Sequence, residues 1–145
     1  MDKTIKEKVS KLYNRDVKES YEILLELETF SDSSDILYRY IDEFIAMLKS
    51  DSYLMRVRGF RLVCRQSKWD NDNLINERID EILSALDDDK PTALRQKLQS
   101  LKFVILEKKE LFKKIEAKAL SIDLSKFKDS MKSLLEKDIK NLLSY

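Results

Sequence analysis

One glycine and one proline in 145 residues leave few ways to fold this chain. Soluble proteins use these residues at roughly 7% and 5%. Hairpin turns and the phosphate loops of dinucleotide folds depend on them, so an all-β or Rossmann chain is disfavoured. What remains is a set of helices joined by short polar links. The length suits one domain with its own buried core.

A repeat is visible within that helical reading. Ile41-Asp42-Glu43-Phe44 reads against Ile79-Asp80-Glu81-Ile82, and in the same register Leu48 falls on Leu86 and Asp51 on Asp89. The period is about 38 residues, within the range of helical solenoids. In a weaker third copy, Lys114-Ile115-Glu116 matches Arg78-Ile79-Asp80, and Ile122-Asp123 matches Leu86-Asp87. Its shorter offset implies a trimmed connection. Two helices per unit give pairs over 16–31 and 34–49, 52–67 and 71–87, and 91–107 and 109–121. A leading helix over 3–13 and a closing helix over 125–143 flank them.

Local chemistry supports these bounds. Ser33 and Ser34 precede Ile36-Leu37 as N-caps do, and Asp70 precedes the run from Asn71 to Ile75. Pro91 stands where a first-turn proline is tolerated, and Lys108-Lys109 suit a helix C-terminus. Leu37, Ile41, Phe44 and Leu48 share one helix face. So do Ile75, Ile79, Ile82 and Leu86, and Leu94, Leu98, Leu101 and Ile105. Such broad stripes need neighbouring helices to cover them.

The stretch Asp51-Ser52-Tyr53-Leu54-Met55-Arg56-Val57-Arg58 and its partner Asp89-Lys90-Pro91-Thr92-Ala93-Leu94-Arg95 resemble the start of HEAT repeats. The resemblance covers about 16–123, and the whole chain is similar to small, uncharacterised bacterial HEAT-like proteins. It implies an all-α, right-handed α-α superhelix of about three helix pairs plus the flanking helices. It also implies a ladder between a loop Asp and an Arg of the next first helix, with second helices lining the concave side.

The chain has no histidine and one cysteine, Cys64. This removes histidine-based acid–base and triad chemistry, most zinc or iron sites, and any cysteine-held cluster. Cys64 shares a face with Val57 and Phe60, so a buried structural thiol is expected. Asp87-Asp88-Asp89 lacks the spacing and glycine of a calcium loop and reads as a loop with capping and ladder duties. No metal or cofactor is expected. The N-terminus does not read as a signal peptide, and no window is apolar enough to span a bilayer, so a cytoplasmic protein is the expectation.

With a net charge of +1, any electrostatic role must come from local segregation of charge. Arg58, Arg61 and Arg65 line one side of helix 52–67, followed by Lys68 and Trp69, and Arg95 opens the next unit. This stripe is either an anion or nucleic-acid surface, or a set of stems paired with acids such as Asp51 or Asp88. Trp69 also reads as a packing residue at the turn. Asp42, Glu43, Glu77, Asp80 and Glu81 face away from their apolar stripes, whereas Lys113, Lys114 and Lys118 follow in the third unit. Asp138 falls on a face with Phe127, Met131, Leu134 and Leu142, where it needs a partner.

The expected function is a non-enzymatic scaffold that binds a protein or peptide through the groove of the stack. Nucleic-acid binding through the arginine stripe is the alternative. A hydrolase using carboxylates alone comes third, and it needs two of them close together in a pocket.

Overall fold

The computed structural model describes residues 2–145, with side chains from Lys3 onward. Every regular element among them is helical. The α-helices are α1 (Asp2–Lys11), α2 (Val17–Ser33), α3 (Ile41–Met47), α4 (Tyr53–Arg65), α5 (Leu74–Glu77), α6 (Ile79–Ser84), α7 (Pro91–Glu107), α8 (Phe112–Leu120) and α9 (Asp129–Leu142). Short 3-10 turns lead into α3, α8 and α9 and extend α4.

Several bounds follow the sequence signals. Asp16 accepts the Glu19 N–H at 3.2 Å, Ser52 accepts that of Met55, and Pro91 is the first residue of α7. Asp70 takes two N–H groups, Leu74 at 3.0 Å and Ile75 at 2.8 Å. Each bond satisfies a donor that a helix start leaves orphaned.

Other bounds differ from expectation. The helix expected over 34–49 begins only with a 3-10 turn at Tyr38, because Ser33 is the last residue of α2 and Ser34 Oγ accepts the Ile36 N–H. The helix expected over 71–87 starts after Asn73, whose φ is 57°, and breaks at Arg78. Asparagine tolerates that left-handed conformation better than most residues. The closing helix starts at Asp129, because Asp123 takes the Ser125 N–H and hydroxyl and holds a separate turn.

The long helices α2, α4, α7 and α9 form a row, each packed on the next. The shorter α3 packs chiefly on α4, the helix that follows it, rather than on α2, its expected pair mate. Gly59 explains this contact. A Cβ there would lie 2.5 Å from the Phe44 carbonyl oxygen and 2.6 Å from Met47 Cβ. The backbones of α3 and α4 touch where the chain's only glycine stands.

All three apolar stripes read from the sequence are buried in one continuous core. The last helix is rotated from its expected face: Leu135, Asp138, Ile139 and Leu142 are buried, and Leu134 is exposed. Many side-chain hydrogen bonds join residues 31 to 38 positions apart. Bonds at that separation tie α2 to α4 and α3 to the start of α6, segments about one period apart.

Candidate functional site

Four sets of polar side chains cross the row. On the α2–α4–α7 side, Arg61 donates to both Glu28 oxygens (3.1 and 2.7 Å) and to Gln96 Oε1 (2.9 Å). Burial draws the Arg61 guanidinium down, and the Glu28 carboxylate more than reverses this, leaving it above the ordinary arginine range. Arg65 donates to Asp32 at 2.7 Å and lies 4.0 Å from the centroid of the Phe103 ring. Arg95 Nε donates to Asp138 at 2.7 Å, and Gln99 supports the same carboxylate. Asp138, the carboxylate on an apolar face, is thus the rung between α7 and α9.

Arg58 does not belong to this surface. It is buried and donates to the Leu12 carbonyl at 2.8 Å, and among the described residues no carboxylate is bonded to it. The other stripe residues also face protein partners. Lys68 Nζ donates to the Asp32 carbonyl, and Trp69 Nε1 donates to the Ser31 carbonyl at 2.7 Å. The acids that hold Arg61 and Arg65 come from α2, whereas Asp88 bonds Arg56 instead.

Near the N-terminal ends of α4 and α7, buried Asp88 stands between Arg56 Nε (3.2 Å) and Lys97 Nζ (2.8 Å), and it accepts the Lys90 N–H. Lys97 is fully buried and also donates to the Ala85 carbonyl. Asp89 meets Lys126, whereas Arg95 meets Asp138. Near the C-terminal ends of the same two helices, Tyr38 donates to Asp70, and Lys108 Nζ reaches the Asp70 carbonyl, the Asp70 carboxylate and Asn73. Lys108 is buried there rather than ending a helix in solvent.

Burial pushes both Asp70 and Asp88 up, but their donors outweigh it, so both carboxyls sit below the ordinary range. Each holds fewer protons folded than unfolded in the window between its two pKa values. Its contribution is therefore full above the unfolded value of about 4 and is lost as pH falls through the lower folded value. The thermal midpoint should hold from neutral pH to about 5 and drop steeply below about 4. A flat profile through strong acid, followed by circular dichroism, would contradict this arrangement.

The second-helix side carries the expected acids. Asp42 pairs with Arg78 (3.1 Å), Asp80 with Lys114 (3.8 Å), and Asp87 with Lys118 (2.8 Å). Glu81 pairs with Arg78 and Lys49, and Glu43 accepts the Tyr13 hydroxyl at 2.9 Å. Glu77 is exposed and has no ion-pair partner among the described residues. Lys113 is exposed beside Lys114. The acids and the cations of the next unit interlock, so this face is not two separate fields of opposite sign.

A cleft of about 330 Å³ brings Glu81, Asp87, Asp88 and Asp89 together. Arg78, as bond partner and charge, keeps the Glu81 carboxyl low, and Asp88 is low as well. A carboxyl acting as general acid needs its pKa raised instead. Among the described residues, no group of three or more His, Cys, Asp or Glu side chains could hold a metal ion. Cys64 is fully buried, and burial first and Glu28 second push its thiol far above the ordinary range.

Sequence reasoning passed over Glu28 and Lys97, although each had a signal. Lys97 stands three residues after Leu94 and four before Leu101, inside a core stripe. Glu28 follows Leu24 by four on the buried face of α2. No family model matches the chain, and no curated protein or solved structure matches it either. No helix among the described residues is long and apolar enough to cross a membrane.

Proposed function

We propose that this chain is a non-enzymatic interaction module, a short HEAT-like stack that binds a basic protein or peptide segment along its second-helix side. One observation carries the reading. Asp42 and Asp80, which the 38-residue repeat equates, keep side chains 77% and 89% exposed while a cation of the next unit grips each from one side. Glu77, at the end of α5, is exposed too and has no ion-pair partner among the described residues. Carboxylates this open to water keep acceptor oxygens free for a docking lysine or arginine, which favours binding of a basic segment.

The HEAT-like repeat draws support from the bonds about one period apart and from Asp88 between Arg56 and Lys97. The α3–α4 packing departs from the expected pairs. The arginine stripe supports nucleic-acid binding less well, since Arg61, Arg65 and Arg95 are each already held by a carboxylate.

The test is affinity capture on the immobilised chain, with mass spectrometry to identify what is retained. The capture is repeated with the triple variant Asp42→Lys, Glu77→Lys and Asp80→Lys. Capture of the main protein partner should fall roughly tenfold or more, because like charges now face it. Equal capture by the triple variant, or retention of nucleic acid alone with steep salt dependence, would overturn the proposal.

A further inference from the structure

The two ends of the helix row are finished differently. At the far end, α9 exposes Ser133, Glu136, Lys137 and Lys140 with a single leucine, Leu134. This is the polar cover that a terminal unit of a stack needs. At the near end, α2 exposes Val17 (53%), Tyr21 (49%) and Leu25 (42%). These positions are i, i+4 and i+8, so they form one stripe along the helix. A shallow groove of about 470 Å³ continues it, lined by Leu25, Glu26, Thr29, Phe30 and Ser33. The side of α2 that faces α4 is already filled by Leu24, Leu27, Glu28 and Ser31. Although α1 also packs on α2, the stripe of Val17, Tyr21 and Leu25 stays about half exposed among the described residues.

Charge says what fits there. Residues 16–37 hold seven carboxylates and one lysine, Lys18. Glu22 runs beside the stripe with no partner among the described residues, and Glu26 follows one turn later, 49% exposed and bonded to Lys8. Asp32, 60% exposed, stands at the end of the stripe. A second copy of this face would set acid against acid, which disfavours self-pairing. Tyr21 is also pre-positioned, with the Arg61 guanidinium 5.8 Å from its ring centroid and Glu28 clamping that guanidinium. A tyrosine in an apolar stripe is a typical anchor of a binding surface.

We infer that the outer face of α2 docks an amphipathic helix of a partner protein, with leucine-like side chains laid on Val17, Tyr21 and Leu25 and lysines or arginines set against Glu22 and Glu26. The site is independent of the second-helix side. Both surfaces select basic partners, but only this one requires a continuous apolar stripe.

The probe is a labelled leucine–lysine peptide of about 18 residues, long enough for roughly five helical turns. Two controls accompany it: the same composition scrambled to destroy the stripe, and a leucine–glutamate version. Anisotropy titration against the full chain should give a micromolar Kd for the probe, and both controls should bind roughly tenfold more weakly or worse. The variant Tyr21→Ser with Leu25→Asp should lose roughly tenfold as well, while its thermal midpoint stays within a few degrees, since both side chains are half exposed. The triple variant of the second-helix side should bind the probe within about twofold of the native chain. Hydrogen exchange should slow over 17–33 on binding. Equal binding of the scrambled peptide, or native affinity in the α2 variant, would overturn the inference. A chain that sediments as a dimer until Tyr21 and Leu25 are changed would overturn it too, by making the occupant a second copy.

Discussion

Replacing Asp88 with asparagine is expected to destabilise the chain by about 3–5 kcal/mol, the cost of leaving a buried charge without its counter-charge. Lys97 is the reason. Its side chain is wholly buried, and its ammonium has two acceptors, the Ala85 carbonyl and Asp88. The amide keeps the shape but removes the only negative charge on that lysine. It also weakens the hold on Arg56, which would keep its bonds to the Ser50 and Asp51 carbonyls. Against a typical total of about 5–15 kcal/mol, such a loss is severe. The thermal midpoint should fall by roughly 10–15 °C, and the urea midpoint should fall with little change in slope. Adding Lys97→Met to Asp88→Asn should recover much of the loss, because a buried ion pair and an apolar replacement are often close in energy. Were Asp88→Asn to cost less than about 1 kcal/mol, Asp88 would not be the counter-charge of Lys97.

The same residue shows where sequence reasoning reached and where it stopped. Apolar periodicity located the helices because burial needs a continuous stripe, and all three stripes are buried. Ile41-Asp42 and Ile79-Asp80 open α3 and α6, so these residues of the repeat fall at like places in two helices. Asp138 was legible as a carboxylate needing a partner. Lys97 and Glu28 break the same rule at the same kind of position and were passed over, because long charged side chains usually reach solvent from a core edge. Which acid meets which arginine was not legible. That choice depends on how α2 and α4 are set against each other, and a helical wheel does not contain the offset. The break at Arg78 has no proline or glycine to announce it. The exposed stripe of α2 was equally silent, because a free face and a covered one have the same periodicity. Only the row of helices shows which is which.

The packing of α3 on α4 makes a second prediction whose sign separates two pictures of the fold. Gly59 lies in the interior of α4 with ordinary helical geometry, so nothing in its backbone conformation demands glycine. In an isolated helix, Gly59→Ala should stabilise by about 1 kcal/mol, through lower backbone entropy in the unfolded chain. In this chain the new methyl would lie 2.5 Å from the Phe44 carbonyl oxygen and 2.6 Å from Met47 Cβ. Both atoms are fixed to the backbone of α3, so no rotamer change relieves the overlap. The helices must separate, and Phe44, Ile45 and Met47 lose their fit against α4. Overpacking of this kind costs about 1–3 kcal/mol even where side chains can yield, and here the obstruction is a carbonyl. The net effect of Gly59→Ala should therefore be a loss of about 1–3 kcal/mol, with Gly59→Leu unfolding the chain or nearly so. Urea unfolding followed by circular dichroism at 222 nm measures both. A gain of about 1 kcal/mol for the alanine variant would mean that α3 and α4 do not touch at this point. The exposed carboxylate of α3, Asp42, would then be set differently against the row.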